Sequence, residues 1–182
     1  MSFVRLVIVL ITFLTLTGCE NAADNMLPSS EDKRPVVEQG VPGTSVGQIA
    51  LDFTIPDTLN NPVTMSNELV GSDGVVLYFT MWCPVCDSHM SHMRAHIIPN
   101  YPNIKFFFID YVSGSVTIAR SAQISNGYTG TSYSVLVDTD QSVLTAYRGT
   151  MGTAVVIDAS GIVQMNEDYK DGTKINSILE NL

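Results

Sequence analysis

The residues best suited to chemistry are two cysteines separated by two positions, in Trp82-Cys83-Pro84-Val85-Cys86. A thiolate attacks disulfide sulfur, and a second thiol one helical turn away can resolve the mixed disulfide that forms. The spacing serves that purpose only if the pair opens a helix. The run Val75-Val76-Leu77-Tyr78-Phe79 just before it reads as a buried strand, and Pro84 suits a first helical turn because its missing N–H would be unpaired there anyway. Cys83 then meets the free N–H groups and positive end of the helix, which lower a thiol pKa, and Cys86 faces the same side. Cys83 is the expected attacking thiolate and Cys86 the resolving thiol. A structural disulfide is the competing reading, but a bridge over three residues constrains the unfolded chain little. Trp82 is expected to be an apolar platform that shields the pair and, with Pro84, contacts substrate; a plain core tryptophan is the alternative.

Metal chemistry has weaker support. A structural zinc site needs two further ligands, and no second Cys-x-x-Cys is present. His89, His92 and His96 do follow the pair on one helical stretch, interleaved with Met90 and Met93. Cys86, His89 or Met90, and Met93 could share a face, and soft sulfur ligands select Cu(I). The competing reading puts both methionines in the core and the histidines on solvated or partly buried faces. No metal or other cofactor is therefore expected, with a Cu(I)-binding metallochaperone kept as an alternative.

The third cysteine, Cys19, has a different setting. Arg5, the apolar segment Leu6 to Phe13 and then Leu14-Thr15-Leu16-Thr17-Gly18 form the layout of a secretory signal, too short for a confident membrane span. Leu16-Thr17-Gly18-Cys19 resembles the lipobox of bacterial lipoproteins, which implies a signal peptide over residues 1–18 and acylation of Cys19. The exported domain would then keep two cysteines able to pair only with each other or with a partner, as suits an oxidising compartment. The net charge of -9 argues against nucleic acid as a partner and against the domain lying flat on anionic lipid. Membrane contact is expected through the acyl anchor alone, on the periplasmic or extracytoplasmic side of a bacterial envelope.

Residues 19–45, rich in polar residues, proline and glycine, read as a flexible tether, and residues 46–182 as one domain. Within the domain, Leu51 to Ile55 and Pro62 to Met65 pair as a hairpin over Asp57 to Asn61. Strand Val75 to Phe79 follows, then a helix from Pro84 to Ile98 stopped by Pro99, and a doubly buried strand Ile104 to Ile109. Further elements are a helix Val116 to Ile124, a strand Tyr133 to Val137, a short helix Gln141 to Tyr147, a hairpin of Ala154 to Ile157 with Ile162 to Met165, and an amphipathic helix Thr173 to Leu182. That order gives an α/β class, with a central mixed sheet flanked by helices and an N-terminal hairpin extension.

With the redox pair placed after the first central strand, the domain resembles a thioredoxin fold, and specifically the membrane-anchored thioredoxins of the TlpA type within the AhpC/TSA superfamily. Val46-Gly47-Gln48-Ile49-Ala50-Leu51-Asp52-Phe53 is similar to the family opening Gly-x-x-Ala-Pro-Asp-Phe, with Leu51 in place of proline. Tyr78 to Cys86 matches the active-site strand and loop, and Met90 an apolar helix position. Val135-Leu136-Val137-Asp138 and Val155 to Gly161 match later strand ends. The resemblance implies a thiol:disulfide oxidoreductase acting on protein disulfides or thiols, in the reducing direction, recharged by an upstream donor of an exported thiol relay and in one version serving cytochrome c maturation. Thr80-Met81-Trp82-Cys83 also reproduces the Thr-x-x-Cys of peroxiredoxins, so a thiol peroxidase is an alternative, although Val76 replaces the proline of the fuller motif.

Two departures from the family pattern stand out. The loop that thioredoxins place against the redox pair, with a cis-proline, falls here on Met151-Gly152-Thr153, the expected substrate-binding backbone. A cis bond without proline costs about 3 kcal/mol, so the Met151–Gly152 bond is expected to be trans or distorted. Leu77 occupies the strand position of thioredoxin's buried acid, leaving Cys86 with no carboxylate proton acceptor identifiable from sequence.

Overall fold

The computed structural model describes residues 36–130 and 132–182. The signal-like segment and Cys19 lie outside the described residues. Among those described, no helix is long and apolar enough to cross a membrane.

The strands are β1 (Thr54–Pro56), β2 (Pro62–Thr64), β3 (Gly74–Thr80), β4 (Ile104–Asp110), β5 (Ser134–Val137), β6 (Thr153–Asp158) and β7 (Val163–Asp168). The α-helices are α1 (Met65–Leu69), α2 (Pro84–His92), α3 (Val116–Ser125), α4 (Ser142–Ala146) and α5 (Thr173–Leu179). Five strands form one sheet in the order β5-β4-β3-β6-β7, with β3, β4 and β5 parallel, β6 antiparallel to β3 and β7 antiparallel to β6. This is the mixed sheet of a thioredoxin-like fold, and β1 and β2 add the antiparallel hairpin before it.

All seven residues of β3 are buried, because helices cover both faces of the sheet at its centre. Alternation sends Val76 and Tyr78 to one face and Val75, Leu77 and Phe79 to the other. On the first face they meet Cys86, Met90, Met93 and Ile97 of the α2 segment and Ile175 and Leu179 of α5. On the second they meet Val143 and Tyr147 of the α4 segment, Met65 and Ile55. Met90 and Met93 are thus core residues, and neither is free on a ligand-binding face.

The segment after the thiols departs from one uninterrupted helix. The α-helical ladder gives way to a π-helical turn over Met93–Ile97, where Ile98 N–H reaches the Met93 carbonyl, and then to a 3₁₀ turn over Ile98–Asn100. Pro99 has no N–H for an i−4 carbonyl, so the chain leaves the α ladder before reaching it. The short α1 is unexpected from its sequence, since its first turn is capped from a distance. Asp52 accepts hydrogen bonds from Ser66 N–H (2.9 Å) and Ser66 Oγ (2.7 Å).

Both sheet edges are covered by the chain ahead of β3. Thr58 N–H bonds the Val135 carbonyl beside β5, and Gly47 N–H bonds the Val163 carbonyl of β7. Gly40, Gly43 and Ile49 exchange backbone hydrogen bonds across residues 40–49, so the last residues of the tether-like segment are folded onto the start of the domain.

Candidate functional site

The dithiol sits where β3 ends and α2 begins. Trp82 turns the chain in the left-handed region (φ 58°), its N–H held by Thr80 Oγ1 at 3.2 Å. Cys83 is the extended N-cap of α2, with Pro84 in the first turn as expected. The Cys83 sulfur accepts the Cys86 N–H at 3.2 Å and lies 2.8 Å from the Cys86 sulfur. Both cysteines are free thiols; Cys86 is fully buried and Cys83 is partly exposed.

The two sulfurs differ electrostatically. Burial acts to raise the Cys83 thiol, but hydrogen bonds from the Cys86 thiol and from the N–H groups of Cys86 and Val85 outweigh it and bring Cys83 below the ordinary thiol value. At Cys86, burial and the neighbouring Cys83 push the thiol up despite donors that include Thr80. One sulfur is accessible and acidic, the other enclosed and protonated, which is the asymmetry that sequential attack and resolution require.

The loop before β6 closes over this pair. Met151 Sδ is 3.2 Å from Cys83 Sγ. Gly152 donates its N–H to the Phe79 carbonyl (3.0 Å) and accepts from Tyr169 N–H (2.8 Å). Its φ of +89° belongs to a region that proline cannot enter, and no cis peptide bond occurs among the described residues. Thr153 is buried, and its hydroxyl receives the Thr150 N–H at 3.0 Å. The structure therefore brings Trp82, Cys83, Pro84, Cys86, Met151 and Gly152 together, with Thr153 turned inward behind them.

Trp82 is more than an apolar platform. Its indole N–H donates to Asp110 Oδ2 at 2.7 Å, and its ring lies 6.0 Å from that of Tyr128. Buried Asp110 also receives Val112 N–H, Ser113 N–H and Ser113 Oγ, so it orients Trp82 from the end of β4. Tyr128 donates to Asp87 Oδ1 (2.6 Å) of the α2 first turn. Asp110 and Tyr128 are separated from the thiols by tens of residues, and no local motif marks them. Tyr78 and His89 also reach the site, joined through Oη and Nδ1 at 3.0 Å. Their strand-then-helix spacing was visible in the sequence, but the contact was not. Among the described residues no group of three His, Cys, Asp or Glu side chains is arranged to hold a metal.

Residues 46–166 match the model of the AhpC/TSA family. The chain belongs to that family. Solved structures agree with this AhpC/TSA assignment at the level of fold. A Bacteroides thetaiotaomicron protein described as a candidate disulfide isomerase is 25% identical, with a TM-score of 0.63 over 76% of this chain and 87% of its own. A candidate thiol:disulfide interchange protein DsbE from Chlorobium tepidum is 20% identical, with a TM-score of 0.60 over 76% and 95%. Peroxidoxin BcpB from Mycobacterium tuberculosis is 24% identical, with a TM-score of 0.59 over 75% and 97%. No significant match was found among curated proteins. The AhpC/TSA membership is consistent with redox activity of the thiol:disulfide oxidoreductase or peroxidase type.

Proposed function

We propose that the protein is an exported thiol:disulfide oxidoreductase, held at the membrane by acylated Cys19, that reduces disulfides in other proteins. The observation that carries this reading is the pairing of an accessible, acidified Cys83 sulfur with a buried, protonated Cys86 sulfur 2.8 Å away. Cys83 thiolate attacks one sulfur of a substrate disulfide; the substrate S–S bond breaks and its other sulfur leaves as a thiolate. Cys86 then attacks Cys83, the Cys83–Cys86 bond forms, and the second substrate thiolate departs. The substrate gains two electrons and the pair loses two, which an upstream exported dithiol restores.

Exposed apolar side chains around the pair, Met81, Val85 and Met151, suit contact with unfolded polypeptide. Cysteines of an apocytochrome c are one such substrate to test. Reduction of insulin by the full chain, with dithiothreitol as donor, is expected to fall to background in Cys83→Ser. Peroxide consumption that exceeds insulin reduction and vanishes in the same variant would transfer the assignment to a peroxidase. The Thr80 hydroxyl does not favour that outcome, since it is buried and engaged by Trp82 N–H.

One observation supports Cu(I) binding as a second reading, and it involves a different methionine from those on α2. Met151 Sδ beside Cys83 and Cys86 completes a set of three soft sulfur donors. Stoichiometric Cu(I) retention by the reduced chain, weakened in Met151→Leu, would favour it.

A further inference from the structure

The resolving thiol must lose a proton before it can attack, and it starts out buried and protonated. Among the described residues no carboxylate is hydrogen-bonded to either sulfur. The nearest acids along the chain have other partners. Asp87 receives the Tyr128 hydroxyl, and Asp110 receives Trp82, Val112 and Ser113. Leu77, at the strand position where the resemblance to thioredoxin would place an acid, points to the opposite face of the sheet.

Its neighbour Tyr78 points to the thiol face and is fully buried in the same cluster as Cys86. The Tyr78 hydroxyl lies 3.0 Å from His89 Nδ1, one helical turn beyond Cys86. A glycine is the residue that passes beside both groups. A Cβ at Gly152 would stand 3.8 Å from the His89 ring and 4.0 Å from Tyr78 Oη, so the substrate-side loop runs directly along the phenol and imidazole.

We infer that Tyr78 and His89 together take the proton of Cys86 in the resolving step. The inference rests on the reading of Cys83 and Cys86 as a redox pair. As Cys86 sulfur attacks Cys83, its proton passes to Tyr78 Oη while the Tyr78 hydroxyl proton passes to His89 Nδ1. The Cys83–Cys86 bond forms, the substrate thiolate leaves with the electron pair of the broken mixed disulfide, and His89 becomes imidazolium. Half-buried His89 then returns the proton to solvent. Nδ1 must be the unprotonated nitrogen, with Nε2 carrying the hydrogen.

The surrounding charges suit each role. Burial, then the charges of Cys86, Cys83 and Tyr169, hold the Tyr78 proton far above the ordinary phenol value, so Tyr78 relays and does not ionise on its own. Burial and then His92 lower the His89 pKa, which keeps the imidazole neutral and able to accept. Tyr169, whose ring lies against both Tyr78 and His89, has its hydroxyl joined to His92 Nδ1 at 2.6 Å, while Tyr111, raised by burial and then by the charge of the two thiols, packs on the opposite core. Asp171 acts in turn on Tyr169 and His92.

The chromogenic disulfide 5,5′-dithiobis(2-nitrobenzoate) separates the two steps in the reduced full chain. The first released thiolate reports attack by Cys83, and the second reports resolution by Cys86. Tyr78→Phe and His89→Gln are each expected to slow the second release relative to the first on the order of 10²-fold at neutral pH, with the deficit closing as rising pH ionises Cys86 directly. The second release of the unsubstituted chain should fall as pH drops through the His89 ionisation. His89→Glu, a different acceptor on the same partly exposed turn, should restore it and move that fall to lower pH. An unchanged ratio of the two releases in His89→Gln, or no recovery in His89→Glu, overturns the relay. Two-step release with the stated pH behaviour but no reduction of insulin overturns the protein-reductase reading and leaves the relay standing.

Discussion

On one face of the sheet Val75, Leu77, Ile109, Leu136, Val155, Ile157 and Val163 make a mainly aliphatic core, with Phe79, Phe107 and Tyr147 as its buried aromatic residues. On the other face Tyr78, Tyr128, Tyr133 and Tyr169 share the core with Phe106, Phe108, Met90 and Cys86, and their hydroxyls reach His89, Asp87, Ser91, Gly130 and His92. Both faces are equally buried, so burial alone does not distinguish them. The aliphatic face contributes stability through area removed from water. The tyrosine face contributes that as well, and it also carries polar atoms up to the thiols without leaving any of those hydroxyls unpaired. The polar groups that support the thiols are therefore part of one core, and consecutive residues of a single strand, Leu77 and Tyr78, belong to the two regimes.

The contrast is open to direct attack. The largest effect on stability is expected from Leu77→Ala, at about 2–5 kcal/mol in urea unfolding, because a cavity replaces a fully buried side chain. The ratio of the two thiolate releases should be unaltered in that variant while it remains folded. Tyr78→Phe should cost only about 1 kcal/mol, the net worth of one hydrogen bond, yet slow the resolving step as described above. Equal losses of stability with unchanged chemistry in both variants would erase the distinction between the faces.

A smaller effect appears at high pH. Burial, followed by a hydrogen bond with Asp87 at Tyr128 and by the charge of Asp171 at Tyr169, pushes each phenol up to about 12 from 10.0. Such groups are ionised in the unfolded chain before they are in the folded one, so their contribution is complete below pH 10 and is lost as pH rises toward about 12. Stability measured across that window should fall less steeply in Tyr128→Phe and in Tyr169→Phe than in the unsubstituted chain. An unchanged slope would mean that the tyrosine face titrates no differently from solvent-exposed phenols.

Much of the fold was legible in the chain. The apolar runs of β3 and β4, the proline at the start of α2 and the alternation of strands and helices are local signals, and they placed the main elements of the sheet within a few residues. The misses have causes that lie outside the short stretch concerned. The α1 cap comes from Asp52, fourteen residues earlier, and the π-helical turn after His92 reflects an accommodation between Pro99 and the core positions Met93 and Ile97.

The site divides in the same way. Sequence by itself determined the Cys83–Cys86 pair, its position at a helix start and the absence of an acid at Leu77, since spacing, helix-terminus electrostatics and strand order are properties of short stretches of chain. Tertiary structure alone decided that Asp110 orients Trp82, that Met151 rests on the Cys83 sulfur, and that Tyr78 meets His89 beneath Gly152. Those contacts join strand, helix and loop across the sheet, and their existence depends on how β3, α2 and the loop before β6 pack, which no single stretch of sequence encodes.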